Sequence, residues 1–426
     1  MLISNFSELT QIAKKNPNHG ISESEFDPYL SRFDEFKSKI ESRNQGFLDL
    51  PFDTQNLEKV KQFSNEVKSK FDTIVVLGIG GSMLGPLVIL EALGAKSKKK
   101  VYCVDNIDPD LIQQIDSKIN YSKTIFLVQT KSGTTPETVA QYFYFRAKVI
   151  KENLAVKNHF VFVTDPENGY LRKSASKDQI VCFDIPENVG GRFSVLSNVG
   201  LVLAGLLDID IDSLLEGGRN AIQKYFTGKD LSSYKLAVSQ FLLNQKGKNI
   251  TVLMPYTSRL RTFAGWYIQL LSESIGKTLD LEGKEVWTGI TPVPALGATD
   301  QHAQMQLFKE GPNDKLIVFL QVLDHQVEVQ IPDLFGDEKS LAYLKGKSFN
   351  QLLEAEFVGT RQSLSESEKP NITISIQEIT PKSLGELFVF FEISVAFLGE
   401  IFNINTFDQP GVERSKVITR EILDTL

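Results

Sequence analysis

The stretch GWYIQLLSESIGK, residues 265–277, places an amide and a carboxylate where they could act together. Gln269 and Glu273 are four residues apart, so on a helix they share one face, and the stretch between them is largely apolar. Apolar surroundings raise the pKa of a carboxylate toward neutrality, which suits a general base. Glu273 is therefore a candidate general base; the alternative is a solvated glutamate on an amphipathic helix.

A second block, QTKSGTTPETV at residues 129–139, is rich in groups that bind phosphate. It carries four hydroxyls and one ammonium within six residues, on Thr130, Lys131, Ser132, Thr134 and Thr135. The residue after Thr135 is a proline, which suits the first turn of a helix, and a helix N-terminus adds partial positive charge. The block predicts a phosphate-binding loop; the alternative is an ordinary Ser/Thr-rich turn with Thr135 as N-cap.

A third block, VVLGIGGSMLG at residues 75–85, invites comparison with the glycine-rich turn of dinucleotide-binding enzymes. The pattern G-x-G-x-x-G fails from Gly78 because position 83 is Met83, and it fails from Gly80 because position 82 is Ser82. Asp105 ends the next predicted strand, where a ribose-binding acid would lie, so a nicotinamide-dependent enzyme remains an alternative. Without a dinucleotide, exposed backbone N–H groups and the Ser82 hydroxyl still predict an anion-binding turn, although the glycines could also form a plain tight turn.

Two more blocks each supply a cation. In NVGGRFSVLS, Arg192 follows a glycine pair, where a guanidinium could stabilise negative charge developing on an oxygen; a surface ion pair is the alternative. In FDQPGVERSK, Gln409 precedes a proline-glycine turn and Lys416 lies on the helix that follows, where a solvated lysine is the ordinary interpretation. Neither block by itself specifies a reaction.

One histidine has a setting that could serve catalysis. His302, in LGATDQHAQMQL, lies near a predicted helix start, and we expect Asp300 and Gln301 to orient its imidazole. No two of the four histidines have metal-ligand spacing, and H-E-x-x-H is absent, so we expect no metal site.

Taken in order, these blocks resemble the signature blocks of the phosphoglucose isomerase family, whose two domains have the sugar isomerase (SIS) fold. The resemblance covers residues 78–416 and rests on GIGGSMLGP, TKSGTTPET, GGRFSVLS, QLLSESIGK, GATDQHAQMQL and FDQPGVERSK. It implies a cofactor-free aldose-ketose isomerase of glycolysis and gluconeogenesis that interconverts glucose 6-phosphate and fructose 6-phosphate.

The resemblance also implies a role for each matched residue. Glu273 falls on the base that moves a proton between C2 and C1, Arg192 on the residue that stabilises the enediolate, and His302 and Lys416 on those that assist ring opening. Substrate contacts fall on Gly81, Ser82, Thr130, Lys131, Ser132, Thr135, Gln269 and Gln409. The family is dimeric, with the histidine reaching across the interface.

The sequence departs from the family pattern at a few positions near these residues. The run Ala298, Thr299, Asp300 stands where many members have GTN before the Q-H pair, Ser415 stands where glycine is common, and Thr130 replaces the more usual serine. These changes bear on sugar preference, including whether mannose 6-phosphate is accepted, more than on the class of reaction.

The elements that must position these residues alternate between apolar strands and helices. Strands that are apolar throughout indicate parallel sheets covered on both faces, and the pattern restarts after a bridging helix at about 205–235. With the resemblance, we expect two doubly wound parallel-sheet SIS domains in three α/β/α layers. The expected ranges are 1–45, an N-terminal helical segment; 46–205, the sugar-phosphate-binding domain; 206–400, the second domain, with a strand at VEVQIPD; and 401–426, a C-terminal helical segment completing the active site.

Composition narrows the possible partners. The 426 residues carry a net charge of -7, which disfavours nucleic acid and anionic membranes as partners. The N-terminus lacks the features of a secretory signal, and the longest apolar stretches are too short or contain Glu392 and Glu400, so we expect a cytoplasmic protein. Cys103 and Cys182 lie in apolar runs and are expected to be small core residues. A non-catalytic sugar-phosphate sensor on the same fold remains the main alternative function.

Overall fold

Two five-stranded sheets form the framework of the chain in a computed structural model that describes residues 2–334, 336 and 338–426. The strands are β1 (Leu2–Asn5), β2 (Thr73–Leu77), β3 (Lys100–Val104), β4 (Thr124–Thr130), β5 (Phe160–Thr164), β6 (Val181–Asp184), β7 (Ile250–Pro255), β8 (Lys277–Leu279), β9 (Glu285–Thr288), β10 (Thr291–Pro294), β11 (Lys315–Val322) and β12 (Asn371–Ile376).

The helices precede, connect and cover these strands. They are α1 (Ser7–Lys15), α2 (Glu23–Leu30), α3 (Phe33–Ser42), α4 (Thr54–Val67), α5 (Gly81–Leu93), α6 (Pro109–Lys118), α7 (Pro136–Lys151), α8 (Val156–His159), α9 (Gly169–Asp178), α10 (Asn198–Leu206), α11 (Ile211–Ala221), α12 (Ser232–Gln245), α13 (Arg261–Ile275), α14 (Met305–Glu310), α15 (Phe349–Glu366), α16 (Pro381–Ile401) and α17 (Glu413–Leu423).

The first sheet has the strand order β3-β2-β4-β5-β6, and every neighbouring pair is parallel. Side chains of β2 alternate between two hydrophobic cores: Ile74 and Val76 pack on one side and Val75 and Leu77 on the other. Both faces are therefore covered by helices, as the continuous apolar strands predict. The chain runs from β2 to one side and then to the other, so a topological switch point lies between β2 and β4.

The second sheet has the order β1-β12-β11-β7-β10 and is parallel except at β1. Leu253 of β7 packs into one core, and Val252 and Met254 pack into another, so this sheet is also covered on both faces. The predicted two-sheet α/β fold is confirmed. The predicted N-terminal segment is not wholly helical, because β1 pairs antiparallel with β12.

The longest helix, α16, carries an apolar sequence because it lies in the protein interior. It begins with Thr380 as N-cap and Pro381 at its first position, as predicted, and its residues from Ser383 to Glu400 are buried. It packs against α3, α11, α12 and α13, so the protein interior supplies the apolar surroundings. Among the described residues, no helix is both long and apolar enough to cross a membrane.

Two sequence-based predictions of secondary structure are wrong. VEVQIPD, all of which the structure describes, forms no strand: Gln330 makes only an isolated bridge to Ser348, and Val327 and Val329 remain exposed, because alternation without a neighbouring strand does not form a ladder. The single bridging helix is two helices, α11 and α12, separated by a π turn at Ile222–Phe226 and by Gly228, which has φ of 80°.

Candidate active site

The glycine-rich turn after β2 lies at the switch point and allows two loops to approach closely. Gly80 has φ of 56°, in the region that favours glycine. A Cβ on Gly81 would come within 2.3 Å of the carbonyl carbon and oxygen of Gly191, so a larger residue would push the two loops apart. Ser82 lies in the first turn of α5, and its carbonyl accepts a hydrogen bond from Gln129 of β4 at 3.1 Å.

The hydroxyl-rich loop after β4 leads directly into α7. The Thr135 hydroxyl lies 2.5 Å from that of Thr130 and 3.3 Å from that of Ser132, and it makes no capping bond to the helix. Lys131 donates to the carbonyl oxygen of Glu187 at 3.0 Å. Because the N-terminus of a 16-residue helix has no side-chain cap from the described residues, this geometry fits an anion better than the ordinary-turn alternative.

Burial changes the proton affinity of the lysine in this loop. It lowers the pKa of Lys131, while the carboxylates of Asp165 and Glu187 act in the opposite direction. A partly buried ammonium whose hydrogen-bond partner is one backbone carbonyl keeps donors for a further acceptor.

Arg192 lies at the centre of a cluster of predicted residues that also contains Glu273, Gln269 and Gln409. The Arg192 side chain is only 2% exposed. Burial lowers the pKa of its guanidinium, against the attraction of the neighbouring carboxylate. Its nitrogens donate to Ser274 Oγ (2.8 Å), Glu273 Oε2 (3.2 Å), Gln409 Oε1 (3.0 Å) and the carbonyl oxygens of Thr406 (2.5 Å) and Asp408 (3.1 Å). The surface-ion-pair alternative is excluded by this burial.

Glu273 and Gln269 share one face of α13, as their spacing predicts. Gln269 Nε2 donates to Glu273 Oε1 at 3.0 Å, so the two carboxylate oxygens are held by an amide and by a guanidinium. Gln269 Oε1 is buried and has no partner among the described residues. A buried acceptor without a donor suits a ligand hydroxyl at this point.

Several residues of this cluster lie there without a sequence motif that indicates a role. Arg192 contacts Ser274 Oγ and the backbone carbonyl oxygens of Thr406 and Asp408. Lys277 contacts the backbone carbonyl oxygens of Glu273 and Asp408. Most of these contacts use backbone carbonyl oxygens, which every residue type provides. Lys277 alone could have been found, because it follows Glu273 by four residues.

Lys416 and His302 lie outside this cluster. Lys416 is exposed on α17 and pairs with Glu413 at 2.7 Å. His302 lies at the end of the short 3-10 helix Thr299–His302 and is exposed, and its side chain makes no hydrogen bond within residues 2–334, 336 and 338–426.

The prediction that Asp300 and Gln301 orient the imidazole of His302 is wrong. Asp300 accepts a hydrogen bond from the Leu296 backbone N–H at 2.7 Å, and Gln301 donates to Glu356 at 3.0 Å and to Thr360. Both side chains stabilise the loop around the histidine and leave the imidazole available to another partner.

The remaining candidate groups do not add a second kind of chemistry. In the described part of the chain, no three His, Cys, Asp or Glu side chains are grouped so as to hold a metal ion. Cys103 and Cys182 are unpaired and half-buried, and burial raises the pKa of Cys103 to about 12 and that of Cys182 to about 11. Such thiols are poor nucleophiles at neutral pH.

Comparison with known proteins gives one consistent family. The sequence model of the family described as phosphoglucose isomerase matches residues 49–426. The glucose-6-phosphate isomerase of Carboxydothermus hydrogenoformans is 40% identical over 422 residues, covering 95% of this chain and 91% of that protein.

Solved structures agree with this sequence comparison. A protein of Thermus thermophilus described as hypothetical superposes with a TM-score of 0.88 at 35% identity, covering 99% of this chain and 100% of the other. A glucose-6-phosphate isomerase from Chlamydia trachomatis superposes with a TM-score of 0.83 at 25% identity, covering 93% of this chain and 84% of the other.

Proposed function

Because this chain belongs to the phosphoglucose isomerase family, we propose that it interconverts glucose 6-phosphate and fructose 6-phosphate, the isomerase step shared by glycolysis and gluconeogenesis. The observation that supports this function most directly is the pairing of Glu273 with both Arg192 and Gln269. The Gln269 amide lies against Gly80, just beyond the carboxyl end of β2. A potential base therefore lies next to a fixed cation, which is what aldose-ketose isomerisation requires.

The substrate phosphate binds at the start of α7 in this proposal. Thr130, Ser132 and Thr135 supply hydroxyls, Lys131 supplies charge, and the uncapped helix N-terminus supplies backbone donors. Gly81 and Ser82 line the sugar, and Gln269 and Gln409 contact its hydroxyls; the buried Gln269 Oε1, which has no partner among the described residues, supports this role.

The reaction begins by opening the sugar ring. The O1 hydroxyl loses its proton, the C1–O5 bond breaks, and O5 gains a proton, with His302 and Lys416 as the groups that exchange these protons. The Glu273 carboxylate then removes the proton from C2. The C–H electron pair forms the C1–C2 double bond, and the carbonyl electrons move to O1, where the Arg192 guanidinium stabilises the negative charge.

The second half of the reaction reverses these movements on the adjacent carbon. Glu273 returns its proton to C1, the hydroxyl proton of O2 transfers to O1, and the carbonyl forms at C2. The sugar's own carbonyl accepts the electron pair that the C2 carbon loses, so no cofactor is part of this proposal.

The proposed assembly is a homodimer in which His302 comes from the other subunit. The exposure of His302 and the lack of hydrogen bonds from its imidazole to the described residues support this arrangement. Lys416 is exposed and paired with Glu413 here, so its ammonium has to leave that ion pair to act on the substrate.

The proposal retains the predicted organisation and location. The ranges 1–45, 46–205, 206–400 and 401–426 are the proposed segments, with the two sheets in the second and third of them apart from β1. A cytoplasmic location is supported by two unpaired thiols.

A coupled assay tests the function. The purified protein should convert fructose 6-phosphate to glucose 6-phosphate, detected with an NADP-linked dehydrogenase that oxidises glucose 6-phosphate. Binding of fructose 6-phosphate without turnover would indicate a sensor instead, and NAD(H) binding in a fluorescence titration would favour an oxidoreductase.

A further inference from the structure

Lys277 is a buried lysine whose three donors all face oxygen atoms close to Glu273. Its side chain is 5% exposed, and Nζ donates to the carbonyl oxygen of Glu273 at 2.7 Å and to that of Asp408 at 2.6 Å. Nζ also lies 3.2 Å from Asp408 Oδ1. An ammonium can be buried at moderate cost only when its donors are satisfied in this way.

The position of Lys277 follows from the end of α13. The helix ends at Ile275, so the carbonyl groups of its last turn lack partners within the helix. Lys277 caps the carbonyl of Glu273, and a cation at a helix C-terminus is favoured by the helix dipole. The lysine thus fixes the backbone of the candidate base.

The same lysine reaches the segment that carries Gln409. The Asp408 carbonyl oxygen accepts hydrogen bonds from both Lys277 and Arg192, and the side chain of the adjacent Gln409 accepts one from Arg192 at 3.0 Å. Two buried cations therefore hold one short segment from two directions: Lys277 follows the end of α13, and Arg192 lies on the glycine-rich loop before α10.

We propose that Lys277 is a positioning residue for the isomerisation: it fastens the 406–409 segment to the end of α13, so that Gln409 and Arg192 keep a fixed relation to the Glu273 carboxylate. This inference rests on the proposed function. Burial lowers the pKa of Lys277, and the Asp408 carboxylate opposes that effect.

The test compares Lys277→Met with Lys315→Met, the same substitution at a buried lysine outside the candidate site. Lys315, the first residue of β11 in the second sheet, is 7% exposed. It donates to the Pro312 carbonyl at 3.3 Å and pairs with Asp314. Lys315→Met removes a similar set of contacts with no residue of the candidate site involved. If Lys277→Met does not fold, Lys277→Gln, which keeps one amide donor group, takes its place.

Hydrogen exchange measures positioning without reference to activity. Peptides covering residues 403–410 should exchange faster in Lys277→Met than in the wild type, and Lys315→Met should leave their exchange unchanged. Equal exchange of these peptides in all three proteins would overturn the proposal, whether or not the wild type is an isomerase.

Kinetics then connect positioning to the reaction. In Lys277→Met we expect kcat for fructose 6-phosphate to fall by about 10- to 100-fold, because small displacements of catalytic groups have effects of this size. Affinity for inorganic phosphate as a competitive inhibitor should remain within about threefold, since the phosphate loop is a separate contact region. A loss of phosphate affinity with unchanged kcat would contradict a positioning role.

A double-mutant cycle distinguishes positioning from a general loss of stability. Gln409→Ala should reduce kcat in the wild-type background but much less in Lys277→Met, because the same segment is already displaced. Additive effects of the two changes would overturn the proposal. If the wild type shows no isomerase activity, the proposed function fails, and hydrogen exchange alone decides the role of Lys277.

Discussion

The guanidinium of Arg192 lies 3.2 Å from the carboxylate of Glu273, but the two side chains differ greatly in exposure, at 2% and 31%. The arginine is fixed by five hydrogen bonds, whereas the glutamate accepts one from the arginine and one from Gln269. The cation therefore keeps its place while the carboxylate can exchange partners when a substrate enters. This asymmetry suits a fixed electrostatic group and a mobile proton carrier.

Glu273→Gln should abolish exchange of the C2 proton of the sugar phosphate with solvent while leaving phosphate-dependent binding intact. The amide retains the shape and a hydrogen-bond acceptor but cannot accept a proton, so the rate should fall by at least about 100-fold. NMR in deuterated water measures the exchange, with the exposed Glu282→Gln as control. Exchange at the wild-type rate would mean that another residue is the base.

Arg192→Lys should lower kcat and also the free energy of unfolding. A lysine cannot reproduce five hydrogen bonds from a planar guanidinium, and loss of one bond to a charged group costs roughly 1.5 to 3 kcal/mol. Urea unfolding and the coupled assay measure the two effects. Arg259→Lys, which changes a half-buried arginine bonded to the Ala92 carbonyl, should retain activity; an equal loss in both variants would argue against a specific role for Arg192.

Lys131→Ala should weaken the binding of phosphorylated inhibitors by roughly 1.5 to 3 kcal/mol, the range for a hydrogen bond to a charged group. Isothermal titration with inorganic phosphate measures this change. The exposed Lys173→Ala serves as control for a general loss of positive charge nearby. Unchanged affinity in Lys131→Ala would count against the proposed phosphate loop.

The pH dependence of stability should reveal the buried state of Lys131. Since its pKa is lowered by burial, the folded protein binds fewer protons than the unfolded chain between that pKa and the ordinary lysine value of about 10.4. Stability of the wild type relative to Lys131→Met should therefore rise as the pH increases through this range. Urea unfolding of both proteins from neutral pH upward measures the difference, and a relative decrease would contradict the assigned burial effect.

Mixing two inactive variants tests whether His302 acts across a subunit interface. A dimer of one Glu273→Gln chain and one His302→Ala chain contains one site with both residues intact if the histidine comes from the partner. Random reassociation should then restore roughly a quarter of wild-type activity, since half of the dimers are mixed and each has one complete site. If each subunit uses its own histidine, mixing restores nothing.

Local signals in the sequence were sufficient for much of the framework. Thr380 and Pro381 marked the start of α16 correctly, because capping and proline geometry are properties of adjacent residues. The spacing of Gln269 and Glu273 likewise gave their shared face. What failed depended on distant partners: β1 is a strand because of β12, and VEVQIPD is not a strand because no neighbouring strand of the described chain pairs with it.

The reactive side chains of the candidate site could be predicted from the sequence, but the backbone groups that hold them could not. Arg192 could be selected from its glycine-rich block, yet its fixation by the carbonyl oxygens of Thr406 and Asp408 has no sequence signal. The hydrogen bonds of Asp300 were misjudged for a similar reason, because its carboxylate accepts from the backbone N–H of Leu296 and not from the nearby imidazole.

The pairing of β1 with β12 has a consequence for how the protein is made. Leu2 pairs with Ile376, so β1 leaves the ribosome before its partner β12 by an interval of about 20 to 75 s at ordinary rates of synthesis of roughly 5 to 20 residues per second. During that interval one edge of the second sheet cannot close. We therefore expect nascent chains that stop before residue 371 to expose an unpaired β1 to other chains, and molecular chaperones to matter most at this late stage of synthesis.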